Sequence, residues 1–249
     1  MRISVVIPAY NEEKYIGACL EAMVNQEEKA DEIIVVNNNS TDRTVEIAKQ
    51  YPVIIVNEQE QGMIQARNRG FNEAQYEIIA RTDADTIVPS NWIKKIKEDF
   101  LSEALVALSG PSYFYETPAH LSSKTVYNLH KPYFRIMRQV LRHDCLYGPN
   151  IALRKSAWEQ IKNQVCLNNN DIHEDIDLAI HIAPLGLIKF DKTLIVNSSF
   201  RRFKRFQPYL EYPHRLISSI RNHKQFTMRA QGTKLIKRIV ARTFIKDML

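Results

Sequence analysis

Glycine is scarce in this 249-residue chain, and its seven copies stand at 17, 62, 70, 110, 148, 186 and 232. They are too dispersed to write a G-x-G-x-x-G fingerprint or a P-loop, so any nucleotide is held by another device. Cysteine is scarce too. Cys19, Cys145 and Cys166 have no C-x-x-C spacing, and an odd count argues against a closed disulfide framework, so a reducing compartment is expected. Long apolar runs are missing. Ile3 to Ile7 ends at Pro8, too short for the apolar region of a signal peptide and far short of the roughly 20 residues that span a bilayer. What is present is ordinary for a globular protein: 45% hydrophobic and 25% charged residues exclude a disordered or fibrous chain. The length suits one large domain, or one domain with an appendage.

The net charge of +6 is unevenly distributed. Residues 1–199 carry 21 basic against 26 acidic side chains, whereas residues 200–249 carry 13 against 2, a balance of +11. Within that basic segment Leu235, Ile236, Ile239, Val240, Phe244, Ile245, Met248 and Leu249 recur at helical spacing among Lys234, Lys237, Arg238, Arg242 and Lys246. This predicts a basic amphipathic helix, packed on the body or lying on an anionic membrane surface. No recognised nucleic-acid motif accompanies the charge, so nucleic acid is not expected as a partner. The charge boundary separates a body, 1–199, from a basic tail, 200–249; the body is read further as 1–110 and 111–199. A cytoplasmic location, peripheral on the inner face of a membrane, is the matching expectation.

The body reads as alternating strands and helices. Runs rich in β-branched residues at Ile3 to Ile7, Ile33 to Val36, Val53 to Val56 and Glu77 to Ala80 are each followed by a polar segment of helical period, which predicts an α/β fold with a mostly parallel sheet. Ile16, Leu20, Met23 and Val24 stripe the first crossover; Ser40 or Thr41 is placed to cap the second; a third runs from about Met63 to Ala74. In such sheets ligands bind beyond the carboxyl ends of the strands. Three polar clusters fall there: Pro8 to Glu12, Asn37 to Asp42, and Arg81-Thr82-Asp83-Ala84-Asp85.

Asp83 and Asp85, alternating in extended chain, present oxygens to one side and suit a hard divalent cation. An isolated Asp-x-Asp is more often a turn bonded to its own backbone, but this one follows a buried strand. A second cluster, His173-Glu174-Asp175-Ile176-Asp177-Leu178, suits a helix start, with Asp171 and Glu174 spaced as a capping box and acids favoured by the helix dipole. Capping alone does not call for Asp175 or Asp177.

Together, Val5 to Glu13, Ile34 to Asp42, Gln61-Gly62 with Ala66 to Gly70, Asp83-Ala84-Asp85, Gly148-Pro149-Asn150 with Arg154, and Glu174-Asp175 with Asp177-Leu178 resemble family 2 glycosyltransferases in order and spacing, over about residues 3–202. The resemblance implies the GT-A fold, a nucleotide-binding half continuous with an acceptor-binding half, and inverting transfer of a sugar from a nucleotide diphosphate. By that resemblance Pro8, Tyr10 and Glu12 line the nucleoside pocket, with Asn37 beside them. Arg67 contacts the base or phosphates, Asp83 lies near the ribose and metal, Asp85 ligates Mg²⁺ or Mn²⁺, and Asp175 is the base, its neighbour Glu174 not being separable from it by spacing. Arg201 and Arg202 fall either on a loop that meets the diphosphate or at the start of the basic tail.

Two departures from the pattern matter. Asn37 replaces the usual aspartate, and an amide can pair with uracil, guanine or cytosine, which leaves the donor base open, a UDP-sugar being favoured. The processive Gln-x-x-Arg-Trp signature is missing after the acidic cluster, so a single sugar is expected to move to a lipid-linked or cell-surface glycan. His181 and the three cysteines receive no role. A non-catalytic binding module and a sugar-nucleotide pyrophosphorylase are the competing readings; the second wants a glycine-rich loop that Ser4 to Tyr10 does not supply.

Overall fold

The computed structural model describes residues 1–117, 128, 135, 137–139, 141–167, 172–201, 219 and 223. Arg202, the amphipathic pattern from Lys234 to Leu249, and Asp171 lie outside the described residues.

Four strands, β1 (Ile3–Ala9), β2 (Glu32–Asn37), β3 (Ile54–Asn57) and β4 (Ile78–Arg81), alternate with α1 (Ile16–Val24), α2 (Thr44–Ala48) and α3 (Met63–Glu73). After β5 (Thr86–Ile87) and α4 (Trp92–Asp99) come β6 (Leu105–Ser109), β7 (Ser112–Tyr115), β8 (Ile151–Arg154), α5 (Lys155–Ile161), α6 (Glu174–Ile182), β9 (Leu187–Phe190) and β10 (Val196–Ser199). The main sheet runs β3-β2-β1-β4-β8-β6-β9 and is parallel except for β8, which is antiparallel to both β4 and β6. The expected mostly parallel α/β architecture is therefore what the chain adopts. Residues from both sides of position 110 share this one sheet.

Side-chain parity decides which face each strand residue covers. Val5, Ile7, Ile33 and Val35 pack with Ile16, Leu20, Trp92 and Ile96 on one face. Val6, Ile34, Val36 and Ile79 pack with Phe71, Trp158, Leu178 and Ala179 on the other. Both faces are covered, which is why the strands read as continuous apolar runs rather than alternating ones. Close approach fixes one glycine: a Cβ on Gly70 would come within 2.2 Å of the Val6 side chain, so α3 can lie flat on β1 only with glycine there.

Two local expectations are corrected. Neither Ser40 nor Thr41 caps α2, which begins at Thr44; Asp42 Oδ1 accepts the Thr44 N–H at 2.9 Å, and Ser40 Oγ instead accepts the Asn11 N–H. The capping box at α6 is not formed, because Glu174 is the first helical residue and its carboxylate turns toward arginines. A second sheet, β5-β10-β7, was not anticipated by the sequence pattern. Its buried hydroxyls pair with one another, Ser198 Oγ lying 3.0 Å from Thr86 Oγ1 and 2.8 Å from Ser112 Oγ.

Candidate active site

Strands β2 and β4 lie on opposite sides of β1, so the chain leaves the sheet in diverging directions beyond Ala9 and Arg81 and opens a crevice at that switch point. The loops after β1 and β2 are knitted together across it. Asn11 and Asn39 both adopt positive φ, 53° and 63°, a region that asparagine tolerates better than most residues. Asn11 Oδ1 accepts the Thr41 N–H at 2.8 Å, and the Glu12 N–H donates to Thr44 Oγ1 at 2.7 Å.

At the nucleoside end, Pro8 is buried within β1 and Tyr10 is half exposed just beyond it. Asn37 ends β2; its amide donates to Asn57 Oδ1 at 2.9 Å and accepts the Ser40 N–H at 3.0 Å. One donor and one acceptor site on that amide remain for a base.

Arg201, directly after β10, reaches into this crevice. Its guanidinium pairs with Glu12, lies 3.0 Å from Asp85 Oδ2 and stacks 4.6 Å from the centre of the Tyr15 ring. Of the two readings left open for Arg201, its contacts are those of a cleft residue. Glu12 Oε2 is buried with no hydrogen bond among the described residues. Burial raises the Glu12 carboxyl, against the pull of Arg201. Burial together with the charge of Asp83 pushes Asp85 up to about 7, although Arg201 opposes the rise. Acids crowded in this way favour an added cation. The Asp85 carbonyl is itself pinned by the Tyr115 hydroxyl at 2.7 Å and the Ser199 N–H at 3.1 Å.

The residue that joins the two acidic clusters was not singled out as functional from the sequence. Arg81, only 1% exposed at the end of β4, lies 3.0 Å from Asp83 Oδ1, 2.8 Å from Glu174 Oε1 and 3.7 Å from Asp175 Oδ1. Burial alone would lower its pKa; Glu174, Asp83 and Asp175 more than reverse this, and the guanidinium stays charged. The sequence carried no local signal for this, because the apolar run ends at Ala80 and Arg81 opens the polar cluster; within the fold, a cation in a buried strand must find counter-charge.

Arg67 also departs from expectation. It is fully buried, donates to Asn68 Oδ1 and the Glu174 carbonyl, and lies 3.5 Å from Glu174 Oε2. Such a position braces Glu174 from behind rather than offering a guanidinium to a base or phosphate. The two acids differ in their partners. Glu174, 15% exposed, is held by two buried arginines; Asp175, 20% exposed, lies 3.7 Å from Arg81, accepts the Gly148 N–H at 2.9 Å, and has a buried Oδ1 without a hydrogen bond among the described residues. Burial, then the adjacent charge of Glu174, raises the Asp175 carboxyl above its ordinary range. A Cβ on Gly148 would come 3.2 Å from that carboxylate, so the glycine keeps its approach open. Asn150 and Arg154 are structural: Asn150 bonds Trp92 and the Leu194 carbonyl, and Arg154 caps the carbonyls of Phe100, Ser102 and Leu105.

The site therefore holds two sets of charge contacts at the switch point, Glu12–Arg201–Asp85 and Asp83–Arg81–Glu174/Asp175, brought side by side by the Asp83-Ala84-Asp85 segment. Its donor set suits Mg²⁺ or Mn²⁺, hard cations that take oxygen ligands.

Comparison with known proteins gives the family and the fold. The family model described as Glycosyl transferase family 2 matches residues 4–161. The glycosyltransferase AglE of Haloferax volcanii is 35% identical over 101 residues, 37% of this chain and 33% of that protein. The chain spans less than half the length of the first curated relatives it matches. Among solved structures, the mannosyltransferase PcManGT of Pyrobaculum calidifontis, in complex with GDP-Man and Mn²⁺, superposes with a TM-score of 0.64 at 20% identity, covering 88% of this chain and 64% of that one. Residues 1–349 of S. aureus TarS, in complex with UDP-GlcNAc, give 0.62 at 18%, covering 80% and 58%. The fold shared with these neighbours is GT-A.

Proposed function

We propose, because the chain belongs to glycosyl transferase family 2, that it moves a single sugar from a nucleotide-diphosphate sugar to a hydroxyl of a glycan or lipid-linked acceptor, with inversion. The observation that carries this reading is the placement of a raised carboxylate, Asp175, on one side of Arg81 and the Asp83–Asp85 pair on the other. The reaction needs both ends: a base for the acceptor proton and counter-charge for the departing diphosphate.

In this mechanism Pro8, Tyr10, Glu12 and Asn37 receive the nucleoside, and Arg201 exchanges its carboxylate partners for phosphate oxygens, which a guanidinium suits. Asp83 and Asp85 hold a divalent metal, which when bound offsets the charge that develops on the leaving diphosphate. Asp175, oriented by the Gly148 N–H, accepts the acceptor's hydroxyl proton as that oxygen attacks the anomeric carbon. Glu174 keeps Arg81 in place between the acids. A UDP-sugar is the favoured donor; the spare donor and acceptor of Asn37 serve uracil, and GDP is the competing arm of the test. A thermal-shift series with nucleoside diphosphates, with and without Mn²⁺, checks the reading, since a ligand of the native state raises the melting temperature. UDP with Mn²⁺ is expected to stabilise most, and Asp85→Ala to lose the Mn²⁺ increment. No stabilisation by any nucleoside diphosphate would overturn the reading.

The basic segment 200–249 supports a peripheral site of action on an anionic, cytoplasmic membrane face; among the described residues no helix is long and apolar enough to cross a membrane. Basic residues near such a surface contribute about 1 kcal/mol each. The full chain is expected to sediment with anionic but not neutral vesicles, and a chain ending at Gln231 to stay in solution; equal partitioning removes the docking role.

A further inference from the structure

Behind the acidic cleft, four side chains with no part in sugar transfer converge on one point. Cys166 follows α5, Asp177 and His181 lie one turn apart on α6, and His223 arrives from the C-terminal segment. Ligand atoms of Cys166, Asp177 and His223 all lie within 4.8 Å of one another. His223 Nε2 is 3.0 Å from Asp177 Oδ1 and 3.1 Å from His181 Nε2, which is itself 3.6 Å from Asp177 Oδ1. Tetrahedral zinc, with bonds of about 2.0–2.3 Å to N, O and S, sets its ligand atoms about 3.3–3.8 Å apart. The nitrogen and oxygen spacings of 3.0, 3.1 and 3.6 Å approach that range, and the Cys166 sulfur lies within 4.8 Å of the Asp177 and His223 ligand atoms.

The surrounding hydrogen bonds orient these groups. His223 Nδ1 faces the Ser219 carbonyl at 2.6 Å, and a carbonyl only accepts, so the ring proton sits on Nδ1. In a neutral ring, Nε2 then points a lone pair at the Asp177 carboxylate and at a second imidazole nitrogen. Only a positive centre between them, a proton or a metal ion, relieves that arrangement. Asp177 is turned by its other oxygen, which accepts the Cys166 N–H at 3.1 Å, and its side chain is 1% exposed. When protonated, the Cys166 thiol and both imidazoles can each donate to Asp177; deprotonated, the same four groups present a sulfur, two nitrogens and an oxygen to a cation.

We propose that Cys166, Asp177, His181 and His223 form a structural site for a borderline-soft divalent metal, Zn²⁺ by its donor chemistry. Thiolate and imidazole select such an ion over Mg²⁺ or Mn²⁺, so this site and the Asp83–Asp85 pair discriminate between cations. Binding displaces the thiol proton to solvent. The consequence is architectural. The metal ties the segment bearing His223 to α6, two residues beyond Asp175, and the His173 N–H bond to Ser219 Oγ at 2.8 Å makes a second tie at the start of that helix.

The test is metal content and spectroscopy on the full chain. Protein freed of loosely held ions is expected to retain about one Zn²⁺ per chain, and Co²⁺ exchanged into it to show tetrahedral d–d bands with a thiolate-to-cobalt charge-transfer band. Cys166→Ser should lose the charge-transfer band and His223→Ala the tight stoichiometry, whereas Asp83→Asn/Asp85→Asn should retain both. Wild-type protein that takes up neither Zn²⁺ nor Co²⁺ stoichiometrically overturns the site. So does bound Co²⁺ without a thiolate band, or metal lost from the Asp83/Asp85 variant alone. Because the wild-type spectrum decides by itself, a misfolded variant does not leave the matter open.

Discussion

Asp85 and Glu12 share one cation, Arg201, whose side chain is 36% exposed and comes from the end of β10, whereas Glu174 and Asp175 face Arg67 and Arg81, at 0% and 1% exposure inside α3 and β4. Both clusters gather acids at the same crevice, yet the first is balanced by a cation able to leave and the second by cations that cannot. An accessible guanidinium over crowded carboxylates is readily exchanged for a metal and a diphosphate, since partly solvated pairs are worth little. Guanidinium groups sealed in the body are not exchanged, because separating a buried pair leaves charge without solvent or partner. In the proposed mechanism the Asp85–Arg201 side is thus suited to exchange of partners and the Asp175–Arg81 side to fixed position.

The largest effect that sharpens this contrast belongs to Asp175. Asp175→Asn keeps the shape and the Gly148 contact but cannot take a proton. Sugar transfer is expected to fall by roughly two to four powers of ten, with donor affinity almost unchanged. Near-normal turnover, measured by release of the nucleoside diphosphate, would move the base elsewhere. Next comes Arg81→Met, which fills similar volume but removes the only group among the described residues that touches Asp83, Glu174 and Asp175 together. Breaking a buried charge set costs about 3–5 kcal/mol, to be read from the denaturant midpoint. A loss below about 1 kcal/mol would mean that these acids are solvated, and the comparison with Arg201 would collapse.

How much of this was legible differs between the same regions. β1, β2 and β4 announce themselves because both faces of a parallel sheet are buried, and the polar clusters that follow them mark the crevice at once. The small sheet gave no such signal: β5 is two residues long, and β10 reads Val196-Asn197-Ser198-Ser199, whose Ser198 hydroxyl pairs with Thr86 of β5 and Ser112 of β7 and whose Ser199 hydroxyl donates to Glu116. The antiparallel insertion of β8 between β4 and β6 is likewise a long-range pairing that no local periodicity encodes. Asp83, Asp85 and Asp175 stood out in the sequence as candidates, but Arg81, the buried arginine that lies between Asp83 and Asp175, did not. Arg81 looked like the first residue of a polar loop, and only the fold reveals that it ends a buried strand whose counter-charge lies 93 and 94 positions onward, at Glu174 and Asp175. The cluster around His181 was opaque for the same reason, its partner His223 being 42 positions away.

The smallest expected effect tests the donor side most directly. Arg201→Met keeps an apolar stem over the Tyr15 ring and removes the charge from Glu12 and Asp85. Since the group is partly solvated, stability should change by no more than about 1 kcal/mol. The informative readout is a pair of affinities with opposite signs. Without nucleotide, Mn²⁺ no longer competes with a guanidinium for Asp85 and should bind several-fold more tightly, because occupancy of one site by either cation excludes the other. With nucleotide, the diphosphate has lost a planar donor, and its affinity at saturating Mn²⁺ should fall several-fold. Calorimetry of the metal alone and of the nucleoside diphosphate at fixed metal separates these terms. Both affinities falling together would make Arg201 a fixed brace like Arg81, and the distinction between an exchangeable and a permanent cation would be lost.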